Sequence, residues 1–281
     1  MKSSLVQRLI TAAIAIPLLV ASIVLFSEQN HILFFLVIIF ATISGTYEMR
    51  ENVLSKKGKV GATCYLSVLL PISEYLDNLS TAVDGLMLYV LAVILGISFM
   101  VEIFKSPEEG FSPTLDKVAR TTLAIIYPGL LISFVTKILF LPESTAYLVL
   151  YFALVFCTDS FAYFFGMAFG KNNKGIFKVS PNKSVAGFIG GIAVPCLIGA
   201  LAPIIFKDLF LFSPIQGVLL GFATSIFSCT GDLIESTFKR AAGVKDSGVI
   251  IPGRGGMLDT LDSLIIAAPV FMMLVSLFLG V

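Results

Sequence analysis

The stretch AYLVLYFALVFCTDSFAYFFGMAF, Ala146 to Phe169, decides the fold class. It runs for 24 residues with a single Asp and no Glu, Lys, Arg or His. A helix rises about 1.5 Å per residue, so about 20 apolar residues cross the roughly 30 Å hydrocarbon layer of a bilayer. This segment is long enough to do so. Outward from it, eight further apolar runs follow the same pattern: Leu5–Phe26, Ile32–Tyr47, Gly61–Leu76, Leu86–Phe104, Thr121–Phe140, Gly187–Phe206, Pro214–Ile234 and Ser263–Val281. The composition agrees: 57% of the 281 residues are hydrophobic and 13% charged, against about 25% charged in a soluble domain. Disorder, a disulfide scaffold and an ordinary soluble globule are excluded. A net charge of +1 leaves no bulk electrostatic pull on nucleic acid. The chain reads as an all-α, polytopic integral membrane protein with about nine transmembrane helices. The second and third runs are short, so seven or eight spans is the alternative count.

Charge sets the expected orientation. Lys and Arg gather in cytoplasmic loops, while acidic residues carry little topological weight. With nine spans and the N-terminus inside, every Lys and Arg except Lys137 and Lys207 falls on the inner side. That set includes Lys2, Arg8, Arg50, Lys57, Lys105, Lys171 and Arg254. The C-terminus is then outside. The first run is longer than a signal-peptide core and has no clear small-x-small cleavage site, so it is expected to be retained. The longer polar segments, Arg50–Val60, Lys105–Arg120, Lys171–Ser184 and Lys239–Asp262, all lie on the cytoplasmic side, and chemistry is expected there. No internal repeat is visible, which argues against a repeat-built transporter. Residues 1–140 read as scaffold, dimer and lipid-facing helices, and residues 141–281 as the catalytic region.

Single residue types narrow the chemistry. Cys64, Cys157, Cys196 and Cys229 sit in apolar runs without C-x-x-C spacing and read as small buried hydrophobes. The one His, His31, stands at the outer end of the second run. Histidine acid–base catalysis and a His-rich metal site are thereby nearly excluded.

Ionisable groups within apolar runs cost about 2.5–3.5 kcal/mol each on insertion scales and point to function. Asp159 is one, flanked by Thr158 and Ser160; its structural alternative is a carboxylate paired with a Lys from another helix. Asp232, Glu235, Ser236, Lys239 and Arg240 fall at offsets that share one helix face, one wall of a polar cavity. Local Glu235–Lys239 pairing would explain part of this stripe, but not Asp232. Asp259 and Asp262 open the last run, where capping explains one of them. The loop before them holds Lys245-Asp246-Ser247-Gly248 and Ile251-Pro252-Gly253-Arg254-Gly255-Gly256. Glycine lets backbone N–H groups approach phosphate oxygens; cations bind phosphates, and clustered carboxylates hold Mg²⁺, which often bridges to substrate phosphate. The chemistry these imply is phosphoryl or nucleotidyl transfer onto a lipid. A lipid phosphate, with a second pKa near ~6, attacks without a general base; a hydroxyl acceptor would call for a carboxylate such as Asp159 or Asp246.

Ser236-Thr237-Phe238-Lys239-Arg240, then Lys245-Asp246, then Pro252-Gly253-Arg254-Gly255-Gly256-Met257-Leu258-Asp259-Thr260-Leu261-Asp262 resembles the signature of the phosphatidate cytidylyltransferase (CDP-diacylglycerol synthase) family. Thr158-Asp159-Ser160-Phe161-Ala162-Tyr163, Phe169-Gly170-Lys171 and Ser180-Pro181-Asn182-Lys183-Ser184 look like the family's other cytoplasmic-side motifs. The resemblance covers roughly Thr158 to Ser263. Arg254 stands where the family usually has His, Thr260 where it has Arg, and Ala186 where it has Glu.

The resemblance implies that CTP and phosphatidic acid give CDP-diacylglycerol and pyrophosphate, by in-line attack of the lipid phosphate on the α-phosphorus of CTP. It implies Mg²⁺, with room for a second cation, on Asp232, Asp246, Asp259 and Asp262. Lys183, Lys239, Arg240 and Lys245 would hold phosphates, and Asp159 would orient a Lys or a metal-bound water, with Asp246 doubling as a catalytic group. Ser180, Ser236, Arg254, Gly255 and Gly256 would line the substrates. It further implies a homodimer in the cell (inner) membrane, with the site open to the cytoplasm and sideways to lipid. The alternatives are a CTP-dependent polyprenol or lipid kinase, which moves the γ-phosphate, and an ion or solute transporter.

Overall fold

A computed structural model describes residues 2–80, 83–104 and 111–280, with side chains except those of residues 2–6, 8, 9 and 12. Lys105 and Val281, and the side chains of Lys2 and Arg8, lie outside that description. Regular structure among the described residues is helical, apart from isolated antiparallel bridges Lys174–Ser184 and Ile251–Gly255. The all-α expectation holds, and the chain is a polytopic membrane protein.

The span count is a correction. Seven helical segments among the described residues are long and apolar enough to cross a membrane, not nine: Ile32–Lys56, Leu86–Ile103, Thr114–Ile138, Ser144–Phe169, Val185–Ile205, Pro214–Ala242 and Leu258–Leu279. The two runs that drop out do so for different reasons. Gly61–Leu76 is not one α-helix: a 3₁₀ stretch, Ala62–Val68, leads into an α-helix of only 11 residues. The first run forms the helix Lys2–Val24, part of whose side chains lie outside the described residues; its described apolar portion is Ala13–Val24.

By contact the chain forms two compact units. The first comprises Met1–Phe140 and Phe238–Thr260, the second Leu141–Thr237 and Leu261–Val281. The segment Phe238–Thr260 thus returns to the first unit.

The first unit holds α1 (Lys2–Val24), α2 (Ile32–Glu48), α3 (Leu69–Leu79), α4 (Leu86–Ile103), α5 (Thr114–Ile125) and α6 (Leu131–Ile138). Buried Phe34, Phe35 and Ile38 of α2 form the core with Leu70 and Tyr75 of α3; the Phe35 and Tyr75 rings stack at 4.0 Å. Two wide π-turns shape this unit. One, Ile126–Leu130, contains Pro128, which lacks the N–H an α-turn needs and crowds the preceding carbonyl. The other, Met49–Val53, ends α2. His31 precedes α2, fully buried, with Nδ1 2.7 Å from the Ile23 carbonyl; it is a structural contact.

The second unit holds α7 (Ser144–Phe169), α8 (Val185–Ile205), most of α9 (Pro214–Ala242) and most of α10 (Leu258–Leu279). Ser184 caps α8, its hydroxyl accepting from Gly187 N at 3.1 Å. The α7–α8 contact runs along glycines. A Cβ on Gly187 would sit 2.6 Å from the Ala162 carbonyl, and one on Gly191 3.0 Å from that of Thr158. Small residues let backbones approach where hydrocarbon offers no hydrophobic drive. Gly199 of α8 meets Gly217 of α9 in the same way, and the Tyr151 hydroxyl of α7 donates to the Leu264 carbonyl of α10.

Candidate functional site

Each unit carries its own charged cluster. In the second unit, the turn Ser180–Lys183 brings the chain out of the α7–α8 connection, Lys183 N donating to Ser180 O at 3.1 Å. Gly175 N donates to Lys183 O at 3.1 Å and Val185 N to Asn173 O at 3.0 Å, pinning the turn against its own loop. Lys183 Nζ then lies 2.8 Å from Asp232 Oδ2, with the side chains 27% and 38% exposed. Asp232 Oδ1 accepts from Ser236 Oγ, one helical turn on, at 3.3 Å. Asp159 Oδ1 accepts from Ser263 Oγ at 3.4 Å, while Ser263 N donates to Asp262 Oδ1 at 2.6 Å. Lys183, Asp232 and Ser236 therefore form one local network, and Ser263 links Asp159, through its hydroxyl, to Asp262, through its amide. Lys183 pairs with Asp232, while Asp159 engages a serine. Glu235 is buried.

In the first unit, the loop after α9 folds back on the start of α10. Ile251 and Gly255 exchange backbone hydrogen bonds, Ile251 N to Gly255 O at 2.8 Å and Gly255 N to Ile251 O at 3.0 Å. That closes a tight hairpin of Pro252, Gly253 and Arg254. Gly253 at φ 80 and Gly255 at φ 111 supply left-handed backbone that other residues rarely adopt. Below the hairpin sits Asp259, 5% exposed. Its Oδ1 accepts from Lys239 Nζ at 2.6 Å. Its Oδ2 accepts from Ser247 N at 2.9 Å, Ser247 Oγ at 3.0 Å and Gly256 N at 2.7 Å. Lys239 is itself only 14% exposed, so its ammonium is held at the root of the loop. A Cβ on Gly255 would come within 2.6 Å of Asp259 Oδ2 and 3.4 Å of the Asp246 side chain. Arg240, Lys245, Asp246 and Arg254 are exposed around this loop.

Capping of α10 differs from the expectation that Asp259 or Asp262 would serve. The amides at its start, Met257 N and Leu258 N, donate at 2.9 Å each to the carboxylate of Glu48, at the end of α2. Sequence reading ended the second run at Tyr47 and passed over Glu48. Glu48 lies one residue beyond that run, where an acid is an ordinary helix-end residue and hydropathy does not single it out.

The donor chemistry suits a hard cation. Asp159, Asp232 and Asp262 offer carboxylate oxygens, Ser236 and Ser263 hydroxyls, and a Lys ammonium already rests on Asp232. Mg²⁺ takes oxygen ligands and is commonly held by one or two carboxylates plus substrate phosphate. No group of three or more His, Cys, Asp or Glu able to hold a metal is gathered among the described residues. Asp259, by contrast, accepts from four donors, which ties it to the loop.

Comparison with known proteins bears on what these clusters serve. Residues 6–278 match the model of the cytidylyltransferase family. A phosphatidate cytidylyltransferase of Bacillus subtilis (strain 168) is 32% identical over 283 residues, covering 97% of this chain and 98% of that protein. One of Thermotoga maritima is 33% identical over 272 residues, covering 94% and 93%. One of Haemophilus influenzae is 48% identical over 134 residues, 46% of each chain.

Proposed function

The chain belongs to the cytidylyltransferase family, and on that premise we propose how its two charged clusters serve the transfer. The reaction joins CTP and phosphatidic acid to give CDP-diacylglycerol and pyrophosphate. The phosphate of phosphatidic acid is largely ionised at neutral pH, having a second pKa near ~6. It attacks the α-phosphorus of CTP in line, and pyrophosphate leaves. Position and charge neutralisation supply most of the catalysis in such transfers. A chain whose only His is buried in structure needs no imidazole for this.

The observation that carries the reading is the placement of Lys239. Its ammonium is anchored on Asp259 at the base of a glycine hairpin, with exposed Arg240, Lys245 and Arg254 nearby in sequence. That loop is suited to the CTP phosphates: Gly255 and Gly256 keep side chains out of the way, and the cations neutralise charge. The Lys183–Asp232 pair is suited to the phosphate and metal side of the reaction. Asp232 and Asp262 would hold Mg²⁺, and Asp159 would offer oxygens to a second cation. When bound, the metal neutralises the departing pyrophosphate. Asp246, exposed on the loop, and Asp259 would be the carboxylates for a cation on the CTP side; Asp259 Oδ1, now occupied by the Lys239 ammonium, would be open to it once Lys239 turns to substrate phosphate. Ser180 and Ser236 flank Lys183 and Asp232 as hydroxyl contacts for substrate.

The orientation and setting follow from charge. The basic segments Lys171–Lys183 and Lys239–Arg254 face the cytoplasm by the positive-inside rule, the enzyme sits in the cell (inner) membrane, and CTP enters from the cytoplasm while lipid arrives sideways. The protein works as a homodimer, an assignment supported by the family resemblance alone. The test uses purified protein with phosphatidic acid, Mg²⁺ and CTP labelled at the α or the γ phosphorus. Label entering lipid from the α position is the expected result. Label entering a polyprenol from the γ position would make the protein a kinase instead.

A further inference from the structure

Glu48 is a buried carboxylate, 1% exposed, in a part of the chain that the reaction has not so far involved. It ends α2, where the helix gives way to the π-turn Met49–Val53. Its carboxylate is held by one loop some 200 residues away in sequence. Oε1 accepts from Met257 N at 2.9 Å; Oε2 accepts from Leu258 N at 2.9 Å and from Ser247 Oγ at 2.9 Å. One carboxylate thus grips both ends of the segment Ser247–Leu258.

The fit is close on every side. A Cβ on Gly248 or on Gly256 would overlap the Glu48 carboxylate, so two glycines of the loop are needed for the approach. From the adjoining π-turn, Asn52 Nδ2 donates to Ser247 O at 2.7 Å, a second tether from the same element. Ser247 also meets Asp259, through N at 2.9 Å and Oγ at 3.0 Å, so it stands between the Glu48 and Asp259 carboxylates. Negative charge is favourable at the unsatisfied amides of a helix N-terminus. Here it also spans the loop.

We propose that Glu48 is a positioning residue for cytidylyl transfer, fixing the loop Ser247–Leu258 in the conformation that receives the CTP phosphates. The inference rests on the assignment of that loop to CTP. It adds that a residue of the first transmembrane half, touching no substrate, sets the affinity for one substrate and not the other. Without the carboxylate, Met257 N, Leu258 N and Ser247 Oγ lose a common acceptor. The loop then samples other conformations, and the fixed placement of Arg254 and of its backbone N–H groups is lost.

The test compares Glu48→Gln, Glu48→Ala and Asn52→Ala in the full-length protein in detergent. Two readouts are taken: amide hydrogen exchange of peptides covering residues 245–258, and separate kcat and KM values for CTP and for phosphatidic acid. Hydrogen bonds to a charged group carry more than neutral ones, so loss of this set predicts about a tenfold or larger fall in kcat/KM for CTP in the Glu48 variants. It should appear mainly in KM for CTP, with KM for phosphatidic acid changed less than about twofold, and with faster exchange in the loop. Asn52→Ala should move the same readouts less. Unchanged exchange in the loop would overturn the tether itself, as would equal losses for both substrates. Faster exchange with unchanged KM for CTP would instead overturn the assignment of the loop to CTP, and the positioning role with it. Should the Glu48 variants fail to fold, Asn52→Ala decides by the same criteria.

Discussion

At the scale of single residues, the carboxylates separate by what holds them. Asp232 is partly exposed and paired with Lys183; Asp259 is nearly buried and accepts from four donors. Asp232→Asn keeps the shape and removes the charge that a metal or Lys183 requires. Turnover should fall by about 10²–10³-fold, the scale seen when one preorganised electrostatic group is removed, while detergent extraction and thermal unfolding stay near wild type. Near-normal turnover would remove Asp232 from the metal set. Asp259→Asn should also lower turnover strongly, but with a lower unfolding temperature. It strips the partner from the nearly buried Lys239 and turns an acceptor toward Ser247 and Gly256 into a donor, and uncompensated buried charge is costly. Lys57→Ala, at an exposed lysine just after the π-turn that ends α2, should leave both readouts within error. Much of this set was legible in the sequence, because a charged residue in an apolar run announces itself. Glu48 was not read, since hydropathy reports only whether an acid lies in a run, and Glu48 lies one residue past the boundary drawn at Tyr47. Its role depends on amides about 200 residues away, and no local pattern carries that pairing.

At the scale of elements, the long helices follow from run length and the interruptions do not. Leu86–Ile103 and Val185–Ile205 agree with the runs Leu86–Phe104 and Gly187–Phe206 to within two residues at either end, since backbone hydrogen bonds in hydrocarbon must be satisfied within a helix. The run Gly61–Leu76 has the composition of a short span but divides into a 3₁₀ stretch and a short α-helix, and composition does not distinguish the two geometries. Helix α8 shows what the sequence does contain once contacts are known. Its Gly187, Gly190 and Gly191 form the face on α7. Gly187→Val should therefore destabilise the second unit: its Cβ alone would lie 2.6 Å from the Ala162 carbonyl, and overpacking of a close contact costs about 1–3 kcal/mol. The measurement is apparent unfolding temperature in detergent, with Gly175→Ala excluded as a comparison because its φ of 85 adds backbone strain. Gly96→Val, where a Cβ meets nothing within 4 Å, is the proper control and should unfold near the wild-type temperature. Equal behaviour of the two variants would mean that the α7–α8 contact is looser than the glycine face requires.

At the scale of the whole molecule, the seven segments and the charge asymmetry make a prediction about sidedness. Helix α8, Val185–Ile205, has 21 residues, about 31 Å at 1.5 Å per residue, which matches the hydrocarbon thickness with little tilt. Lys174 lies before it in a segment with Lys171, Lys178 and Lys183; Lys207 and Asp208 lie after it in a segment with little other charge. If basic loops stay inside, Lys174 faces the cytoplasm and Asp208 the opposite side. Single cysteines at Lys174→Cys and Asp208→Cys, in a background where Cys64, Cys157, Cys196 and Cys229 are replaced, test this with a membrane-impermeant thiol reagent. On intact cells Asp208→Cys should label and Lys174→Cys should not. On inverted membrane vesicles the pattern should reverse. Labelling of both from one side would mean that α8 does not cross, despite its length. Labelling of Lys174→Cys on intact cells alone would place the basic loops outside. Lys183 and the glycine loop would then face away from cytoplasmic CTP, a result that bears on the reaction as directly as on the topology.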